Sequence, residues 1–124
     1  MAYLIDQSRK RVEAARALTK ALTTGDPESR GDLLIKAGML ADDVSKGRLV
    51  SRHGRRALLS ASVRCYIDAS AAFNAAHANA VSESALSTDA SAKGVAAIKA
   101  VHLQGMAAVS IGMASDALQG MTRQ

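Results

Sequence analysis

A single proline, Pro27, stands in a chain of 124 residues, so after it no residue obliges a helix to stop. Its setting is itself informative. Asp26 can cap a helix, Pro27 fits the first helical position, where a missing N–H is not needed, and Glu28 suits the positive helix end. Alanine supplies 26 residues and the aromatics only three. Alanine loses no side-chain entropy in a helix, whereas strands draw on aromatic and β-branched residues, so the chain is expected to be all-α. Its length makes one domain and allows a core without disulfide or metal support. That core must be thin, since 12 Leu, 8 Val, 5 Ile and 5 Met are the aliphatics larger than alanine.

Helical periodicity marks four segments. The first, residues 3–23, carries Ile5, Ser8, Val12, Ala15, Leu18 and Leu22 on one stripe and closes at Gly25. The second starts at the Asp26 cap, turns Leu33, Leu34, Ala37, Leu40, Ala41 and Val44 to one side, and ends at Lys46 and Gly47. There the glycine is expected to supply a left-handed C-terminal turn. The third, residues 51–82, has two adjacent stripes: a mostly bulky one of Leu59, Val63, Tyr66, Ser70, Phe73, His77 and Val81, and a small one of Leu58, Ala61, Cys65, Ala69, Ala72, Ala76 and Ala80. A Ser/Thr-rich turn at 84–88 leads to a fourth helix reaching Met121, with Asp89 in its first turn.

Gly94, Gly105, Gly112 and Gly120 fall inside that last helix, where each costs about 1 kcal/mol relative to alanine. Such a cost implies close backbone approach, so the last two helices are expected to form a tight antiparallel hairpin. At about 32 residues each they span roughly 48 Å, against roughly 30 Å for the first two. A four-helix bundle of two shorter N-terminal helices and a long C-terminal hairpin leaves part of the hairpin uncovered, and homo-oligomerisation follows as the expectation. Its seam is read as Leu103, Met106, Met113 and Met121 with Gly105 and Gly112, the methionines giving adaptable packing.

Charge is distributed unevenly. Residues 1–56 hold 12 Lys/Arg against 7 Asp/Glu, whereas residues 57–124 hold four of each, so the whole net charge of +5 lies in the first half. Lys46, Arg48, Arg52, Arg55, Arg56 and Arg64 follow one another with no acidic residue between Asp43 and Asp68. Arg52, Arg55 and Arg56 occupy a first helical turn, where the macrodipole disfavours cations. Phosphate oxygens are the natural counter-charge for such a cluster, so nucleic acid met through its backbone phosphates, or an acidic protein, is the expected partner. Of Tyr3, Tyr66 and Phe73, the last two fall on the bulky core stripe, so recognition of single strands by aromatic platforms is not supported. Asp42, Asp43 and Glu28 are the acids that could neutralise the cluster across a subunit boundary.

Two short fragments resemble known families. Arg48-Leu49-Val50-Ser51-Arg52-His53 has the Arg-x4-His spacing of HEPN-type ribonucleases, helical bundles whose dimers join two such motifs. The resemblance covers six residues, lacks the polar residue after the arginine, and implies RNA cleavage through His53. Val101-His102-Leu103-Gln104-Gly105, with Gly112 beyond, is similar to the histidine phosphotransfer motif and implies a phosphorylated His102, although Gln104 replaces the family's lysine.

Other chemistry lacks carriers. None of Glu13, Glu28 and Glu83 has a histidine three residues later, so the di-iron bundle pattern is absent. With the turn centred near residues 85 and 86, His77 and His102 stand about eight residues out of register, roughly 12 Å along the axis, too far to share a metal. No Gly-x-Ser-x-Gly, Walker or Gly-x-Gly-x-x-Gly pattern occurs. Cys65 cannot form an internal disulfide and reads as a packed thiol. The first ten residues lack the apolar region of a secretory signal. The longest uncharged run, residues 100–115, falls short of the ~20 residues of a membrane span. The expectation is a cytoplasmic, non-enzymatic, oligomeric assembly protein without cofactor, metal or small-molecule substrate, of a composition that suits virion or phage-accessory components.

Overall fold

The computed structural model describes residues 2–122. Among them lie four helices and no strand: α1 (Ala2–Thr23), α2 (Pro27–Ser45), α3 (Arg52–Leu86) and α4 (Ala90–Thr122). The α2 start forms as its sequence dictates. Asp26 adopts extended backbone and its carboxylate accepts from the Ser29 N–H at 3.0 Å and the Ser29 hydroxyl at 2.7 Å. Those two bonds hold the Asp26 carboxyl below its ordinary pKa range.

Helices pack in chain order, α1 on α2, α2 on α3 and α3 on α4; α2 only grazes α4, and α1 packs against neither α3 nor α4. The result is an open array in which α3 is the central member. Its bulky stripe serves both neighbours, Tyr66 and Phe73 meeting α2 while Ser70 and His77 meet α4. The core is accordingly divided. Phe73, Leu34 and Leu103 lie with alanines of α1, α3 and α4 in one cluster. Leu59, Val63 and Tyr66 meet Ala114 and Ala117 in a second, and Ala17, Ala37 and Cys65 form a small third.

Both α3 interfaces repeat every seven residues. Toward α2, the Phe73 ring occupies the place a Cβ would take at Gly31, 2.7 Å away, and Tyr66 does the same at Gly38, 2.6 Å away. Toward α4, Ser70 Oγ donates to the Ala107 carbonyl at 3.0 Å, His77 Nδ1 lies 2.7 Å from the Ala100 carbonyl, and Ser84 Oγ donates to the Lys93 carbonyl at 3.1 Å. The steps of seven, up α3 and down α4, define an antiparallel pair in coiled-coil register.

Several expectations are corrected by this packing. No glycine among the described residues has positive φ. The α2 helix ends at Lys46 in ordinary right-handed backbone, and Gly47 is required for another reason, since a Cβ there would collide with the Tyr3 hydroxyl. The α3 helix runs on to Leu86 because Ser84, a turn residue by composition, is instead a bridge to α4. That shift of register sets His77 opposite Ala100, so His102 stands about two residues from its level rather than eight. Close approach to glycine is found on α2, and an added Cβ at Gly94, Gly105 or Gly112 would meet nothing within 4 Å.

Candidate interaction surfaces

The α2–α3 connection and the α3 N-terminus carry the basic residues singled out above. Ser51 caps α3, its Oγ accepting from the Gly54 N–H at 3.0 Å, and no acidic residue occupies the first turn. The collar residues divide by what holds them. Lys46 reaches back to Asp42 at 3.6 Å. The Arg48 guanidinium lies 5.5 Å from the centre of the Tyr3 ring, a cation–π distance, and the Tyr3 hydroxyl accepts from the Leu49 N–H at 3.3 Å. Arg55 Nε donates to the Ser45 carbonyl at 2.8 Å, covering the end of α2. Arg52, Arg56 and Arg64 are exposed.

Among the described residues no carboxylate forms a salt bridge with Arg48, Arg55, Arg56 or Arg64. The three acids that could neutralise the cluster across a subunit boundary are each held by a lysine of the chain: Asp42 by Lys46, Asp43 by Lys10 and Glu28 by Lys99 at 3.5 Å. Folding also adds a cation that the linear sequence does not associate with this end. Arg11, on α1, lines a cleft of about 470 Å³ with Tyr3, Gln7, Leu49, Ser51 and Gly54. Within it Gln7 Oε1 is buried without a hydrogen-bond partner. A larger cleft of about 530 Å³ opens where α2 ends, floored by Leu59, Tyr66 and Met113 and edged by Asp42, Lys46, Arg55 and Asp116. Its two acids and two bases leave the rim without net charge.

The residues read as an oligomer seam separate into two groups. Leu103 is 1% exposed in the chain's own core, Met106 packs on the same cluster, and Met113 and Met121 pack around Leu59 and Tyr66. Gly105 and Gly112 lie on the opposite, exposed face. Ile98, 74% exposed, and Val101, 70% exposed, share that face, and Val95, Val109, Ile111 and Leu118 are exposed elsewhere around the helix. By length and composition α4 is apolar enough to cross a membrane, with 28% of its most apolar window buried. A second, smaller apolar edge lies at the other side of the array, where Leu4, Ile5, Val12 and Leu22 of α1 are exposed.

Histidines and the cysteine find ordinary surroundings. His53 is exposed in the first turn of α3, in the helix that follows the Arg48 loop. His102, also exposed, lies near the Asp32 carboxyl. Asp32 is exposed, yet partial desolvation of its carboxyl pushes its pKa up, Glu28 adds to the effect, and His102 draws it back. Among the described residues no three His, Cys, Asp or Glu side chains are grouped to hold a metal. Cys65 is 6% exposed, and its burial, with help from Asp68, raises the thiol pKa. A buried thiol of raised pKa is a poor nucleophile.

Comparison of the chain with protein-family models, with curated proteins and with solved structures finds no match in any of the three.

Proposed function

We propose that this chain is a non-enzymatic assembly protein: it associates with copies of itself and presents the collar Lys46, Arg48, Arg52, Arg55, Arg56 and Arg64 to a polyanion, as a virion or phage-accessory component does. The observation that carries this reading is the outer side of α4, a helix some 50 Å long by its 33 residues, whose large aliphatic side chains have no cover in the chain. A soluble chain rarely leaves so continuous an apolar patch bare. The collar supports the second half of the reading. Among the described residues Arg48, Arg55, Arg56 and Arg64 form no carboxylate pairs comparable to those that occupy Lys10, Lys46 and Lys99, and guanidinium groups suit bidentate contact with phosphate oxygens. Contact with phosphates rather than base edges makes the expected binding tolerant of sequence and steeply dependent on salt.

The test is a native mass measurement on protein purified without nuclease, followed by a salt titration against a random-sequence DNA duplex. Masses at multiples of 12.9 kDa, with affinity falling steeply between about 50 and 200 mM salt, are the expected results. Replacing Arg48, Arg56 and Arg64 together by Ala flattens the salt slope by about 0.9 for each phosphate contact removed. A monomer that ignores the duplex refutes the proposal.

A further inference from the structure

We propose that the outer face of α1 lies flat on a membrane surface of anionic lipid. This surface is separate from the collar and from the self-association argued above. The side that α1 turns to the rest of the chain buries only Ala17 and Ala21. Nearly opposite, Leu4, Ser8, Val12, Ala15, Thr19 and Leu22 fall in one row by helical spacing, and all six are exposed. The helix thus turns small residues inward and its aliphatics outward, Leu22 being 87% exposed. No other helix covers that side, because α1 packs along α2 alone. The row runs about 27 Å from Leu4 to Leu22. At its N-terminal end the exposed Leu49 adjoins it, across the cleft shared with Leu4, Ser8 and Arg11.

Charge identifies the occupant. By the same helical spacing Arg11 borders the row on one side, and Arg16 and Lys20 border it on the other. All three are exposed, and among the described residues no carboxylate forms a salt bridge with them. The acids of α1 lie off this face, where Arg9 and Lys10 hold Asp6 and Arg9 holds Glu13. An apolar row bounded by cations is the pattern of a helix that rests in the head-group layer. Its aliphatics enter the acyl boundary, while the long basic stems carry their charges out to the lipid phosphates. Other occupants fit less well. A second copy would set three cations against three with no acid to answer them, and nucleic acid would leave the aliphatic row against a polyanion. A lipid surface asks for no shape beyond a row open along its length, which an outermost helix provides, whereas an acidic protein would need a matching groove of its own.

Vesicle flotation tests this, with phosphatidylcholine alone set against an equal mixture of phosphatidylcholine and phosphatidylserine. The wild-type chain should float with the mixture and not with phosphatidylcholine alone. Replacing Arg11, Arg16 and Lys20 by Gln should weaken partitioning about fivefold for each cation, and roughly a hundredfold together. Val12→Gln with Leu22→Gln should abolish flotation and leave the helical circular dichroism unchanged, since both side chains are exposed. Arg56→Ala with Arg64→Ala, on α3, should float as the wild type does. An environment-sensitive dye on Ser8→Cys should shift to shorter emission wavelength on the mixed vesicles and one on Asn74→Cys should not, the native Cys65 being buried. Equal flotation with phosphatidylcholine alone would overturn the proposal in favour of an apolar face elsewhere, such as that of α4. Flotation lost in the α3 pair and kept in the α1 triple would move the site to the collar. Absence of flotation would overturn lipid as the occupant, and retention on immobilised polyglutamate that the α1 triple loses would then put an acidic protein in its place.

Discussion

At a helical glycine, what stands where the Cβ is missing decides whether the residue is a weakness or a necessity. Rings fill that place at Gly31 and Gly38, and Phe73 and Tyr66 are only 1% and 2% exposed. Gly31→Ala and Gly38→Ala are therefore expected to destabilise the fold by about 1–3 kcal/mol through overpacking. At Gly105 the same change meets open space and should stabilise the isolated chain by about 0.5–1 kcal/mol. Urea unfolding at concentrations low enough to keep the chain monomeric should move the midpoints in opposite directions. A carboxyl offers a second test at this scale. The folded-state pKa of Asp32, an exposed residue, is raised above its ordinary 3.8 by partial desolvation of its carboxyl and by the neighbouring Glu28, so the folded chain holds that proton more tightly than the unfolded chain does. Its ionisation then disfavours folding as pH climbs through the carboxylate range. Asp32→Asn should raise Tm at pH 7 and lose that advantage near pH 3, where the wild-type carboxyl is protonated. Asp26 works in the other direction, its depressed pKa contributing stability above about 3.8 that is lost in acid.

Among the elements, α3 and α1 stand at opposite extremes. The α3 helix contributes to all three core clusters, while α1 buries only Ala17 and Ala21 and is otherwise held by polar contacts such as Lys10 with Asp43 and the Leu49 N–H with the Tyr3 hydroxyl. Burial of two alanines supplies little of the hydrophobic term, so α1 is expected to open independently of the rest. Native-state hydrogen exchange should show amides of residues 6–20 exchanging well before those of residues 66–80, and equal protection in the two segments would refute this. These contrasts also show why the sequence is legible in part. Caps and punctuation are local, so Asp26, Pro27 and Ser51 mark their helix starts correctly. An apolar stripe says that a face is buried but not against which neighbour, and the open order of the array is invisible in it. The α3–α4 register is missed because a serine beside a loop reads as turn chemistry, and Ser84 instead bonds across the hairpin. Gly31 and Gly38 repeat at the same interval as Tyr66 and Phe73, a match that could have located the close approach on α2. No sequence signal places Arg11 at the collar, since only the folding of α1 onto α2 brings it there.

For the molecule as a whole, stability and assembly should be inseparable. A core in which alanine provides 13 of the 21 buried apolar residues has few large side chains from which to draw stabilisation, and the bulkier Ile98, Val101, Val109 and Ile111 are left outside. If a second copy covers them, the native state alone gains that burial, because the unfolded chain has no such face to offer. Association that is specific to the native state stabilises it by mass action. For a dimer, each tenfold rise in protein concentration above the dissociation constant should add about 1.4 kcal/mol to the stability of the dimer. In a chain of this size that raises Tm by roughly 4–8 °C. Scanning calorimetry of the wild-type chain from about 5 to 500 μM should therefore show a rising Tm. A wild-type Tm that does not move would mean that the outer face of α4 contributes nothing to the stability of the protein in solution.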